Sequence, residues 1–154
     1  MAWITPKTNW RAIYDESGEY LGDFLNVADY ERISGNLQHI KDLYIEYNKP
    51  NVTLDAMVSI DTSSLAYASQ WNAIENNLEK LIIAFGGLLS LAGNKKIYIA
   101  NGRTIDYNEL NRIESISLQV YEYLPLEYNA ERHLEFSLGL DNIGAFSTIA
   151  GGSL

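Results

Sequence analysis

The sequence predicts an α+β fold, mainly helical, with three amphipathic helices from a degenerate repeat and short β-strands or hairpins between and after them. Two observations carry that expectation. One motif recurs three times about 40 residues apart, and the stretches between its copies alternate apolar and polar side chains. At 154 residues the chain is long enough for one ordinary core.

The copies run Tyr30-Glu31-Arg32-Ile33-Ser34-Gly35-Asn36-Leu37, Trp71-Asn72-Ala73-Ile74-Glu75-Asn76-Asn77-Leu78 and Leu110-Asn111-Arg112-Ile113-Glu114-Ser115. Each has a large apolar residue, a polar one, Arg or Ala, then Ile; Asn-Leu follows in the first two only. Before the first helix, Asp15 and Glu16 beside Gly18 read as a solvated turn. Asn26 with Asp29 three residues on marks the helix start, because a capping side chain and an N3 acid satisfy amides that have no partner within the helix. Ile33, Leu37, Ile40 and Tyr44 then form an apolar stripe.

Val52, Leu54, Ala56, Val58 and Ile60 alternate with polar neighbours and Met57, as in a strand with one buried face. The second helix repeats the stripe with Ile74, Leu78, Leu81 and Phe85. Tyr67 stands at its capping position, so its start is expected earlier, near Ser63 or Ser64, or its cap is of a different kind. Lys96 to Ala100 is the next expected strand, ending at Asn101-Gly102, a dipeptide suited to a tight turn. Asp106 and Glu109 open the third helix, whose stripe shifts to Ile113, Ile116, Val120 and Tyr123 and which Pro125 is expected to end.

Arg132 to Leu140 alternates again and predicts a last strand. The apolar, glycine-bearing tail from 141 to 154, with Ile143, Phe146 and Ile149, is a candidate for docking on a neighbouring subunit, with fraying as the alternative. This divides the chain into a repeat-bearing helical domain, 1–124, and a strand and apolar tail, 125–154. Tyr30, Ile33, Leu37, Trp71, Ile74, Leu78, Leu110 and Ile113 are the expected packing and assembly residues.

Composition narrows the chemistry. Net charge is −9 and the basic residues are scattered singly, unlike the basic stripe that phosphate backbones require, so nucleic acid is not an expected partner. There is no cysteine, which removes disulfides, thiolate metal sites and cysteine nucleophiles. The longest apolar run, Leu81 to Ala92, is too short to span a bilayer, and the N-terminus does not read as a signal peptide, so synthesis in the cytoplasm is expected. Two histidines, no phosphate-binding loop and no zinc-type spacing leave an enzyme few parts, so neither catalytic residues nor a cofactor are expected.

Three weaker patterns remain. Glu131, His133 and Glu135 would share one face of a strand and hold a divalent ion, although the solvent side of a half-buried strand looks the same. Asn36, Asn76, Asn77 and Asn111 are poor helix formers, so their recurrence points to side-chain hydrogen bonds between helices or to adjoining backbone. Trp3 and Trp10 offer stacking surfaces for sugars, whereas Trp71 occupies the apolar repeat position and anchors the core.

The order of these segments, from Trp3-Ile4-Thr5-Pro6-Lys7-Thr8-Asn9-Trp10 through Phe24 to Ile33, Trp71 to Leu78, and Tyr98-Ile99-Ala100-Asn101-Gly102 into Tyr107 to Glu114, resembles small virion proteins. These are encoded in the tail and fibre regions of phages and prophages of low-GC Gram-positive bacteria. The likeness covers residues 3 to about 124. It implies a tail, baseplate, collar or fibre-attachment component that is assembled in the host cytoplasm and carried in the virion. Its expected partners are other virion proteins and copies of itself, with no catalytic residue to carry over. The competing expectations are a carbohydrate- or receptor-binding module using Tyr121, Tyr123 or Tyr128, and an enzyme built on Asp61, Glu131 and His133.

Overall fold

A computed structural model of the chain describes residues 2–47, 49, 51–61, 63, 67–85, 95–102 and 105–137, with backbone only at 135–137. Among them are three helices, α1 (Val27–Glu46), α2 (Ala68–Ala84) and α3 (Tyr107–Ser137), and no strands. The fold is therefore mainly helical, not α+β.

Each helix opens as its local chemistry dictates, with one departure. Asn26 accepts from the Asp29 amide at 3.1 Å and Asp29 accepts from the Asn26 amide at 3.1 Å, which completes a capping box. Asp106 accepts from the amides of Asn108 and Glu109, both at 3.0 Å. Tyr67 caps α2 with no side-chain hydrogen bond, so that helix starts at Ala68 and not near Ser63, which lies in a turn; Ser64 is outside the described residues.

The core is five layers with one residue from each helix. Tyr30, Trp71 and Leu110 form the first, then Ile33, Ile74 and Ile113, then Leu37, Leu78 and Ser117, then Ile40, Leu81 and Val120, then Tyr44, Phe85 and Leu124, all buried. The third stripe keeps the offsets of the other two. Of its expected members Ile113, Ile116 and Val120 are buried and Tyr123 is half exposed; Ser117 and Leu124 hold the positions that match the other two stripes. Ser117 disguises the period, because a hydroxyl is tolerated in the core only by donating to the Ile113 carbonyl at 2.9 Å.

Equal or adjacent layers meet across the axis. The Tyr30 and Trp71 rings pack edge to face with centroids 5.8 Å apart, and the Tyr44 hydroxyl donates to the Leu81 carbonyl at 2.7 Å. The three helices therefore run parallel, and the chain must return along the bundle before each one. A helix of 17 residues is about 25 Å long, a distance that eight extended residues cover.

Residues 51–60 and 95–99 are such return segments, so the strands expected over 52–60 and 96–100 are extended chain with no ladder. Burial follows the expected alternation only in part: Val52 and Ile60 are buried and Leu54 half-buried, but Ala56 and Val58 on the same side are exposed and Met57 is half-buried. Asn101, at a φ of 61°, and Gly102, whose amide donates to the Ile99 carbonyl at 2.8 Å, make the expected turn.

Pro125 does not end α3, and residues 132–137 are helix where a strand was expected. Proline removes one amide from the helix ladder, and contacts on both sides of it hold the helix together. Leu124 is fully buried, Tyr128 packs on Tyr47 at 5.0 Å, and Lys49 bridges to Glu127 at 3.5 Å and Glu131 at 2.7 Å. The expected domain boundary after residue 124 falls inside this helix. Leu138, Leu140 and the tail residues Ile143, Phe146 and Ile149 lie outside the described residues.

Candidate functional site

The eight packing residues named from the sequence form the first two core layers and two-thirds of the third. They pack against one another within the chain. Around them lies a polar arrangement that repeats from helix to helix and that the motif only partly announced.

Arg32, one residue before the central Ile33, reaches Glu114, one residue after the central Ile113. Its Nη2 donates to Oε1 at 2.7 Å and its Nε to Oε2 at 3.1 Å. Arg112 holds the same place in α3, and its Nη2 donates to Glu75 in α2. The third step of the cycle, from α2 to α1, would join positions 73 and 34. Those residues are Ala73 and Ser34, so Arg and Glu are absent together. A charge left alone at a buried site costs several kcal/mol, which makes joint absence the tolerated alternative.

The first turns follow the same rule. Arg32 Nη1 donates to Asp29 at 2.6 Å and Arg112 Nε donates to Glu109 at 2.8 Å, in each case to the residue four before the central Ile. At the matching position α2 carries Gln70, whose Oε1 accepts from the Tyr30 hydroxyl at 3.2 Å. Burial pushes the Glu75 carboxyl up from the ordinary glutamate range, and the Arg112 charge opposes that shift.

Four asparagine side chains hold the return segments. Asn36 accepts from the Ile4 amide at 3.0 Å and donates to the Ile4 carbonyl at 2.7 Å. Asn77 does the same to Asp55 at 2.6 and 3.0 Å, Asn72 to Tyr98 at 2.8 and 2.9 Å, and Asn111 to Trp10 at 2.7 and 3.0 Å. Each amide thus supplies the donor and acceptor that a neighbouring strand would. Asn36 and Asn77 occupy one repeat position and hold the segment that precedes their own helix, whereas Asn72 and Asn111 occupy another and hold a segment that leads into a different helix. Asn72 was not singled out from the sequence, and Asn76 plays a lesser part, donating to the Asp55 carboxylate at 3.2 Å.

An Asn36→Asp variant keeps the acceptor for the Ile4 amide and sets a carboxylate against the Ile4 carbonyl. It is expected to lose about 1–3 kcal/mol in urea unfolding, and an unchanged midpoint would mean that the bracket does not hold the segment.

Trp10 is the lid of the better-defined ion pair. It is buried, donates from Nε1 to Glu114 at 2.9 Å, and lies under the Lys7 ammonium at 4.2 Å. It is therefore not a sugar platform. Trp3 is stacked on Tyr121 at 3.9 Å beside His39, and Tyr128 packs at a tilt against Tyr47, so two of the three tyrosines weighed as a glycan surface are already engaged within the chain. Glu131, His133 and Glu135 belong to a helix, where alternate residues do not share a face, and no group of three His, Asp or Glu side chains capable of holding a metal occurs among the described residues. Glu131 is engaged by Lys49, and Asp61 accepts from the Ser63 hydroxyl at 2.7 Å.

Residues 11–23 form a hairpin that pairs through amides of Asp15, Leu21 and Asp23 and carbonyls of Glu19, Ile13 and Arg11, at 2.7–2.9 Å, with a single bridge between Tyr14 and Tyr20. Asp15 Oδ1 accepts from Ser17 and Glu19, and Gly18 takes a φ of 85°, so the expected solvated turn is the tip of this hairpin. At its base, Asp23 accepts from Lys7 at 2.5 Å and from the Arg11 amide at 2.7 Å.

The Lys7 hydrogen bond, then that of the Arg11 amide, holds the Asp23 carboxyl below the ordinary aspartate value of 3.8. A lowered carboxyl stabilises the fold above the unfolded value and loses that contribution as pH falls through the folded one. The Arg11 amide signal in nuclear magnetic resonance is accordingly expected to titrate below pH 3.8 and to move back up in Lys7→Met; a midpoint that ignores the substitution would remove Lys7 as the cause.

No described helix is long and apolar enough to cross a membrane. Comparison with protein families, with characterised proteins and with solved structures yields no match to this chain.

Proposed function

We propose that this chain is a structural protein of a phage particle, a tail, baseplate, collar or fibre-attachment component, that works by packing against copies of itself or other particle proteins. The observation that supports packing is the placement of apolar side chains on the parts that stand outside the core. Phe24 beside the hairpin, Ile97 and Ile99 on the last return segment, and Leu126 and Leu134 on the far half of α3 are all exposed. The buried charges support it from the other side, because they are committed to joining helices.

The particle itself rests on the resemblance carried by residues 3 to about 124. The alternative, a glycan- or receptor-binding module of the same particle, has less support, since Tyr121 is stacked on Trp3 and Tyr128 packs at a tilt against Tyr47.

The test is to induce the particles, purify them on a density gradient, and look for the chain by mass spectrometry and immunogold labelling. Labelling at the tail supports the reading, and particles that lack the chain while the host cytoplasm retains it would reject it.

A further inference from the structure

We propose that the outer edge of the hairpin arm Arg11–Asp15 pairs antiparallel with the same edge of a second copy of this chain, with Ile13 on the two-fold axis. The inference rests on the self-packing reading and names its surface.

The hairpin's own hydrogen bonds define that edge. Backbone groups of Arg11, Ile13 and Asp15 point toward the opposite arm, where they pair with Asp23, Leu21 and Glu19. By the alternation of extended chain, the N–H and C=O groups of Ala12 and Tyr14 point away from it. A lone two-armed hairpin is marginal in water, and this one carries exposed apolar side chains on both faces: Ile13 is 45%, Tyr14 64% and Leu21 58% exposed. An outward row of donors and acceptors beside apolar side chains is a template for another arm.

Charge selects the occupant. With Ile13 opposite itself, Arg11 faces the partner's Asp15 and Asp15 faces the partner's Arg11, so two opposite-charge pairs form per contact. Ala12 then lies opposite the partner's Tyr14 in a hydrogen-bonded pair, with a small side chain across from a large one. Sliding the register by two residues in either direction replaces both ion pairs with charge against apolar or against another part of the turn. The contact is self-complementary, as a two-fold interface must be. Asp15 has capacity for it, since the turn engages Oδ1 and the residue is fully exposed.

The chain has no cysteine, so a single introduced thiol reads the contact directly. In a non-hydrogen-bonded pair on the axis the two Cα atoms lie about 4.5 Å apart, inside the range a disulfide spans. Ile13→Cys in the full chain is therefore expected to cross-link under mild oxidation. Leu21→Cys, on the same face but one arm further out, would place its thiols roughly 14 Å apart and is expected to stay reduced.

Ala12→Pro removes an outward amide while leaving the bonds inside the hairpin in place. It is expected to weaken dimerisation about tenfold or more in sedimentation equilibrium and to abolish cross-linking by Ile13→Cys. If the chain associates but Ile13→Cys does not cross-link, the hairpin is overturned and self-packing runs through another surface. If the chain is monomeric throughout, the hairpin and self-packing both fail, while packing with other particle proteins is still read by labelling the particle.

Discussion

A Glu114→Gln variant is expected to lose about 3–5 kcal/mol of stability, the range for breaking one partner out of a buried ion pair. Its carboxylate accepts four hydrogen bonds from three places in the chain: two from Arg32, one from the Trp10 indole and one from the Lys7 amide at 2.8 Å. The amide of glutamine keeps one acceptor oxygen and turns a nitrogen donor toward the remaining donors. Trp10 or Lys7 then loses its acceptor, and Arg32 retains Asp29 as its one carboxylate. For a domain of this length the melting temperature is expected to fall by roughly 10 °C. Glu122→Gln, exposed on the same helix, is the control and is expected to change nothing measurable. A loss for Glu114→Gln no larger than the control's would mean that the pair contributes little to the bundle.

The residues of that pair explain how much was legible in the sequence. The three helices, their central isoleucines and two of the starts follow from local rules, namely apolar periodicity and capping, and both are written within a few residues of one another. The period-two patterning of the return segments reports an extended backbone, not the partner of its hydrogen bonds and not which side is buried, since Val58, Ile97 and Ile99 are exposed. Here those partners are the side chains of Asn36, Asn72, Asn77 and Asn111, up to 101 residues away in sequence. The recurrence of asparagine pointed to side-chain hydrogen bonds with adjoining backbone, and that signal held the information about the segments.

Arg32, Glu75, Arg112 and Glu114 were readable as motif positions yet not as a cycle, because the cycle joins each helix to a different copy. Tertiary context also decided the third helix. A serine at a core position hid the stripe, and contacts from Lys49 and Tyr47 carried the helix past Pro125, which local rules place at an end. The hairpin tip was visible in Asp15, Glu16 and Gly18. Its arms were not, since they are short and lack strong alternation.

The cycle makes its own prediction through the interface where the pair is missing. Arg112→Met leaves Glu75, 1% exposed, without its guanidinium, and Glu75→Leu leaves Arg112 with Glu109 as its one remaining carboxylate; each is expected to cost about 3–5 kcal/mol. The two together are expected to cost about 1 kcal/mol or less, because no charge is then left alone and the replacements fill much of the same volume. The α1–α2 interface already exists in that condition, with Ala73 and Ser34 in place of the pair. Urea unfolding of the four proteins gives the coupling directly as the departure of the double variant from the sum of the singles. A double variant that costs far less than the sum of the singles means that charge pairing, not the identity of either residue, is what the position requires. Additive losses would mean instead that Arg112 and Glu75 each serve separate contacts, such as Glu109 for the first and the Lys96 backbone for the second, and that the likeness between interfaces is one of position only.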